Sequence, residues 1–179
     1  MFGIPLHPLV VHFPIVLSVL LPISVVVALW YIRKGTTPRR AWAVPLAMAA
    51  ALTLSSWLAT QTGESEEDRV EQVVIEDIIH DHEEAGERFL VLSGVLLLVA
   101  AAGLLPRSAG QGARLVTAAG ALGLVAAGVR VGHSGGELVY RHGAASAYTD
   151  SVTGFSPTAA AAAGPDGRIA RQRGDDDER

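Results

Sequence analysis

Six histidines carry most of the chemistry available to this sequence: His7, His12, His80, His82, His133 and His142. Neutral imidazole is the commonest nitrogen ligand for zinc, copper and haem iron, and it is also the side chain that titrates near physiological pH. The 179 residues include no cysteine, which excludes disulfides, thiolate metal sites, iron–sulfur clusters and Cys-attached haem. Any bound metal must therefore use His, Met or carboxylate. No nucleophile elbow, phosphate loop or His-Glu-x-x-His zinc motif is present, so an enzyme acting alone is not expected.

The elements that must position these histidines are apolar. Half of the chain is hydrophobic and only 18% is charged, a balance that excludes an ordinary water-soluble domain. A hydrocarbon core needs roughly 20 apolar residues per helix, and four stretches supply them, at about 9–32, 41–62, 86–105 and 114–133. The first is expected to be retained, because no positive charge precedes it and its apolar run exceeds a signal-peptide core. Membrane-buried backbone must satisfy its own hydrogen bonds, so the expected fold is an all-α four-helix transmembrane bundle with up-down neighbours. This domain is expected to occupy 1–150. The Ala-, Gly- and Pro-rich stretch 151–179, ending Gly-Asp-Asp-Asp-Glu-Arg, reads as a disordered polar tail.

Charge sets the expected orientation. Arg33, Lys34, Arg39 and Arg40 lie between spans one and two, and Arg107 and Arg114 lie between or at the start of spans three and four, with no acid among them. Positive-inside places both connections in the cytoplasm. Residues 63–87 instead carry eleven acids against Arg69 alone, which puts that segment and both termini outside. All six histidines then share the outer face. The acidic segment, with Val70, Val73, Val74, Ile75, Ile78 and Ile79, reads as an amphipathic outer helix whose charged side is solvated. The net charge of −4 comes from segregated blocks, and no basic patch interleaved with aromatics points to nucleic acid.

Helical periodicity separates the histidines. Ile78, Ile79, Ala85 and Gly86 flank His82 at three and four positions, so it should face the bundle, whereas Glu76, Asp77, Glu83 and Glu84 put His80 on the solvated side. In Leu6-His7-Pro8-Leu9-Val10-Val11-His12-Phe13-Pro14, Pro8 suits a first helical turn and Pro14 kinks or restarts the helix. His7 is then an interfacial residue and His12 lies over a turn deeper. Arg130 and Glu137 flank His133 near the end of span four, and an intramembrane Arg is a functional-site hypothesis. His142 follows the span as a loop residue. Gly128-x-x-x-Gly132 and Gly132-x-x-x-Gly136 predict a close-packing face or room for a flat ligand.

The His-Pro-x-x-x-His-Phe-Pro opening, His82 before the third span and the closing Gly135-Gly136-Glu137-Leu138-Val139-Tyr140-Arg141-His142-Gly143 together resemble the bacterial domain-of-unknown-function family 2231, over about residues 4–148. The resemblance implies a four-helix protein of the bacterial inner membrane. It also implies that His7, His12, His82 and the Gly-Gly-Glu-Leu-Val-Tyr segment are motif positions, whereas His133 stands where members often carry an apolar residue.

Three functional readings follow. In the first, His12 and His82 ligate b-type haem beside the glycine-rich fourth span, Arg130 meets a propionate, and electrons pass to a membrane or periplasmic redox partner. In the second, three or four of His7, His12, His82 and His133 hold copper or zinc. In the third, the histidines are hydrogen-bonded elements of a cofactor-free accessory subunit, within a homo-oligomer or larger complex.

Overall fold

Apolar side chains recurring every three to four residues demand helices with one buried stripe. The structure, a computed structural model, describes residues 5–148, of which 85% are helical, with no strand among them. The expected tail, 151–179, lies outside the described residues. Six α-helices run in order: α1 (His7–Val10), α2 (His12–Arg33), α3 (Pro38–Glu64), α4 (Glu67–Val70), α5 (Glu76–Ala102) and α6 (Arg107–Tyr140), followed by a 3₁₀ turn at Ala144–Tyr148. Four helices are long and apolar enough to cross a membrane, the first counted from His7 to Arg33. Their number is that of the expected spans, while α5 begins ten residues before the expected third span.

The four long helices close a square, α2 against α3, α3 against α5, α5 against α6 and α6 back against α2. Their buried positions alternate by three and four: Pro14, Ser18, Leu21, Val25 and Ala28 on α2, and Trp42, Pro45, Ala49, Leu52, Ser56 and Ala59 on α3. The same spacing recurs in Phe89, Ser93, Leu96 and Ala100 of α5 and in Gly110, Arg114, Thr117, Ala121 and Leu124 of α6. A 3.5-residue repeat is that of coiled-coil packing, so the core is stacked in layers along the bundle. Outside this narrow seam the surface is apolar, with Ile23, Leu98, Leu122 and Val129 all more than half exposed. In a bilayer those side chains face lipid.

Two expectations are corrected. The acidic segment is not one amphipathic helix: it divides into the end of α3, the single turn α4, a turn through residues 71–74 and the start of α5, with Ile75 extended at the cap. Val74 and Ile79 are buried against Leu138 and Ala144, so the break lets this short segment fold over the end of α6. The glycine face is also different. A Cβ on Gly132 or Gly136 would meet nothing within 4 Å, whereas one on Gly120 would fall 2.6 Å from Leu96 Cδ1 and one on Gly135 3.0 Å from His82 Cε1. Of the motif glycines only Gly128 is covered, 3.4 Å from Phe89 Cε2, and the covered position after it is Gly135, seven residues on, rather than Gly132.

Helix α6 runs well beyond the expected 114–133. Its 34 residues span about 50 Å, more than a hydrocarbon core, so its last turns stand clear of the apolar region. The Gly135-Gly136 pair does not stop it, because buried Leu138 and bonded Ser134 hold the turns on either side.

Candidate functional site at the histidine end

Extending each buried stripe outward identifies the last core layer. His7 lies seven residues, two turns, before Pro14, and His82 lies seven before Phe89; Gly63 lies seven after Ser56, and Gly135 seven after Gly128. These four residues meet at one end of the bundle. His7 packs on Gly63, whose Cβ would fall 3.3 Å from its Cε1, and His82 packs on Gly135. The two imidazole rings are 6.2 Å apart between centroids and nearly perpendicular, at 83°. Large residues on α1 and α5 thus face bare backbone on α3 and α6, which is how a layer admits two rings.

The hydrogen bonds fix which nitrogen carries the proton. His7 Nδ1 lies 2.9 Å from the Ala59 carbonyl, which can only accept, so Nδ1 is the donor. Thr62 Oγ1, 3.3 Å from the same nitrogen, has its own hydroxyl hydrogen directed to helix carbonyls. His82 Nδ1 lies 2.8 Å from Ser134 Oγ, and that hydroxyl donates to the Val131 carbonyl at 3.0 Å. Ser134 therefore accepts from His82. In the neutral rings both Nε2 atoms carry a lone pair. Neither has a hydrogen-bond partner among the described residues, where no buried side-chain nitrogen lacks one, so both remain reachable from outside the protein. Two Lewis-basic nitrogens on adjacent, pre-oriented rings form the site.

The N-terminal segment is held in place by a carboxylate. Glu66 Oε1 accepts from the Leu6 amide at 2.7 Å and the His7 amide at 3.3 Å, while Oε2 accepts from the Tyr148 hydroxyl at 2.5 Å. It thereby satisfies orphan amides at the start of α1 and pins the 3₁₀ turn to it. Burial and the Glu66 carboxylate push the Tyr148 hydroxyl above the ordinary phenol range, partly offset by Arg69 across its ring. Glu66, Ser134, Ala59 and Tyr148 were not legible as site residues. Glu66 is one acid among eleven, and the other three have unremarkable types.

The remaining candidates lie apart. His12 is exposed, because it sits two positions from buried Pro14 and so on the opposite side of α2; the expected His12–His82 pair is replaced by His7–His82. The signal was the seven-residue step back from Pro14. His133 is exposed on α6, 3.8 Å from Glu137, and Glu137 pairs at 2.6 Å with Arg141 rather than with Arg130, which is exposed. His80 and His142 are also exposed, as expected. Among the described residues no three His, Asp or Glu side chains converge to hold a metal, so the three- or four-ligand copper or zinc cluster is not formed. A shallow cleft of about 470 Å³ beside His133 is lined only by α6 and its cap residue Arg141.

A four-helix membrane bundle with a two-histidine layer at one end is the class this architecture defines. A family model described as predicted membrane protein (DUF2231) matches residues 3–147, and the chain belongs to that family. No curated protein and no solved structure matches it.

Proposed function

We propose that the His7–His82 layer is a two-imidazole ligand site for b-type haem, and that the protein passes electrons at this end of the bundle. The supporting observation is the pair of lone-pair-bearing Nε2 atoms, each set by a bonded Nδ1, on rings 6.2 Å apart. An Nδ1–H bonded to a backbone or hydroxyl oxygen is the usual support of a metal-bound imidazole, so His7 and His82 would each hold the iron through Nε2. Gly63 and Gly135 let the two rings lie against backbone, and exposed Arg130, one turn before Ser134, would be a cation for a propionate. When bound, haem would supply one-electron chemistry. The arginines at the opposite end support a histidine-end-out orientation with both termini outside, and the proposed setting is a bacterial inner membrane.

A second reading has its own observation: each ring already ties two helices, α1 to α3 and α5 to α6. The layer is then a latch in an accessory subunit. One experiment separates the two. The reduced-minus-oxidised spectrum of the detergent-purified protein, expressed with a haem precursor, is expected to show low-spin bands that vanish in His7→Ala and His82→Ala and persist in His12→Ala. A colourless wild type whose stability falls in both variants favours the latch. Copper or zinc held by the pair with exogenous ligands would appear in elemental analysis of the same sample.

A further inference from the structure

The opposite end of the bundle holds a different site. A cleft of about 760 Å³ opens between the α2–α3 and α5–α6 connections, lined by Arg33, Arg39, Arg107 and Arg114 together with Ser108 and Gln111. Among the described residues no carboxylate lines it, and none of the four arginines forms an ion pair. Four uncompensated guanidinium groups around one cavity repel one another unless an anion joins them.

The geometry of the walls adds to the charge. Arg114 is only 7% exposed, yet its guanidinium is anchored through Nε alone, which donates to the Gly103 carbonyl at 2.8 Å. Its Cζ lies 6.0 Å from the centroid of the Trp42 ring, and Trp42 Nε1 in turn donates to the Ala100 carbonyl at 2.8 Å. The Nη donors of a fixed, planar fork are left for another acceptor. Both α3 and α6 begin at the rim. Neither N-cap, Thr37 or Pro106, supplies a side-chain hydrogen bond, and neither first turn contains an acid, so two positive helix ends face the same space. Leu105 and Leu115, each about half exposed, continue the cleft onto the apolar outer surface, with Leu29 and Ile32 behind them against the core.

We propose that this cleft binds a phosphate group, whose oxygens match the arginine forks and the free amides of two helix starts. The sources sharing this chemistry are the phosphodiester of an anionic lipid headgroup, which the apolar wall suits, and free phosphate. The site is independent of the histidine layer.

The test is native mass spectrometry of the full chain in detergent, titrated with phosphatidylglycerol, with phosphatidylcholine and, separately, with inorganic phosphate. Arg33→Gln/Arg39→Gln removes two charges from the cleft. Lys34→Gln/Arg40→Gln removes two from neighbouring positions outside its lining. Thermal melting confirms that both variants fold, and these exposed positions avoid the buried Arg114. Selective phosphatidylglycerol binding that weakens about tenfold or more in the first variant and less than twofold in the second establishes the lipid phosphodiester. Inorganic phosphate binding with the same variant dependence and no lipid selectivity establishes the free anion. Equal losses in both variants, or no binding of either phosphate source, overturns the proposal.

Discussion

The two ends of the bundle are closed by opposite devices. At the arginine end the connections are short, and Trp42 and Arg114 reach the carbonyls of Ala100 in α5 and of its cap Gly103, so side chains cap backbone within one tight layer. At the histidine end the closing bonds also reach across the sequence, as Trp42 to Ala100 does, but ionisable or hydroxyl side chains make them: His7 to Ala59, His82 to Ser134 and Glu66 to Tyr148. The first arrangement is packed backbone with a charged rim. The second is a set of polar side chains that tie α1 to α3, α5 to α6 and the 3₁₀ turn to the start of α4. Tight packing at the arginine end predicts that it resists substitution by rearranging little, while the histidine end should loosen when any one of its hydrogen bonds is removed.

Substitutions should affect the two ends unequally. The largest effect is expected from Gly103→Ala, whose Cβ would fall 2.4 Å from Trp42 Nε1 and displace the indole from the Ala100 carbonyl. Overpacking plus the lost buried bond predicts about 2–4 kcal/mol, read as a fall in melting temperature in detergent. A wild-type-like melt would show that the Trp42 layer is soft and would erase the contrast. Next comes Glu66→Ala, which strips the acceptor from two amides and from Tyr148. A loss of about 2 kcal/mol is expected. Its distinguishing signature is faster amide exchange confined to α1 and the 3₁₀ turn, with the arginine end unchanged.

The glycines sharpen the comparison within a single helix. Gly132→Ala meets open space and gains helix propensity, so it should stabilise by up to about 1 kcal/mol. Gly135→Ala, three residues on, presses on His82 Cε1 at 3.0 Å and should cancel that gain, loosening the His82–Ser134 bond. Equal melting temperatures for the two variants would mean that the imidazole layer gives way freely.

The fold was readable because hydrophobic length is nearly sufficient in a membrane, and the arginine end because charge marks it. His82 could be placed because acids flank its other side. His7 and His12 were inverted for a physical reason: in a bilayer the lipid-facing side is as apolar as the core, so Leu9, Val10 and Phe13 beside His12 say nothing about which way it points. Only the register of the small buried residues, Pro14 and Ser18 onward, carries that information. The GxxxG spacing misled similarly, since glycines open to the surface and glycines under a side chain have the same letter. Glu66 was hidden by the ten other acids around it.

The smallest expected effect tests whether the C-terminal turn truly belongs to the histidine end. Burial and Glu66 raise the Tyr148 hydroxyl above its unfolded value, which for tyrosine is about 10. The protonated phenol is thus favoured by the fold, so its contribution is complete below about pH 10 and is lost as pH rises through the folded value. Tyr148→Phe removes both the bond and the titration. The difference in melting temperature between wild type and this variant should therefore be constant from about pH 6 to 9 and shrink above about pH 10, because deprotonation then stabilises only the unfolded wild type. A difference that stays constant through pH 11 would show that the phenol is not coupled to Glu66 in solution. The N-terminal segment would then be held by its amide bonds to Glu66 alone, and the histidine end would close with one fewer cross-link.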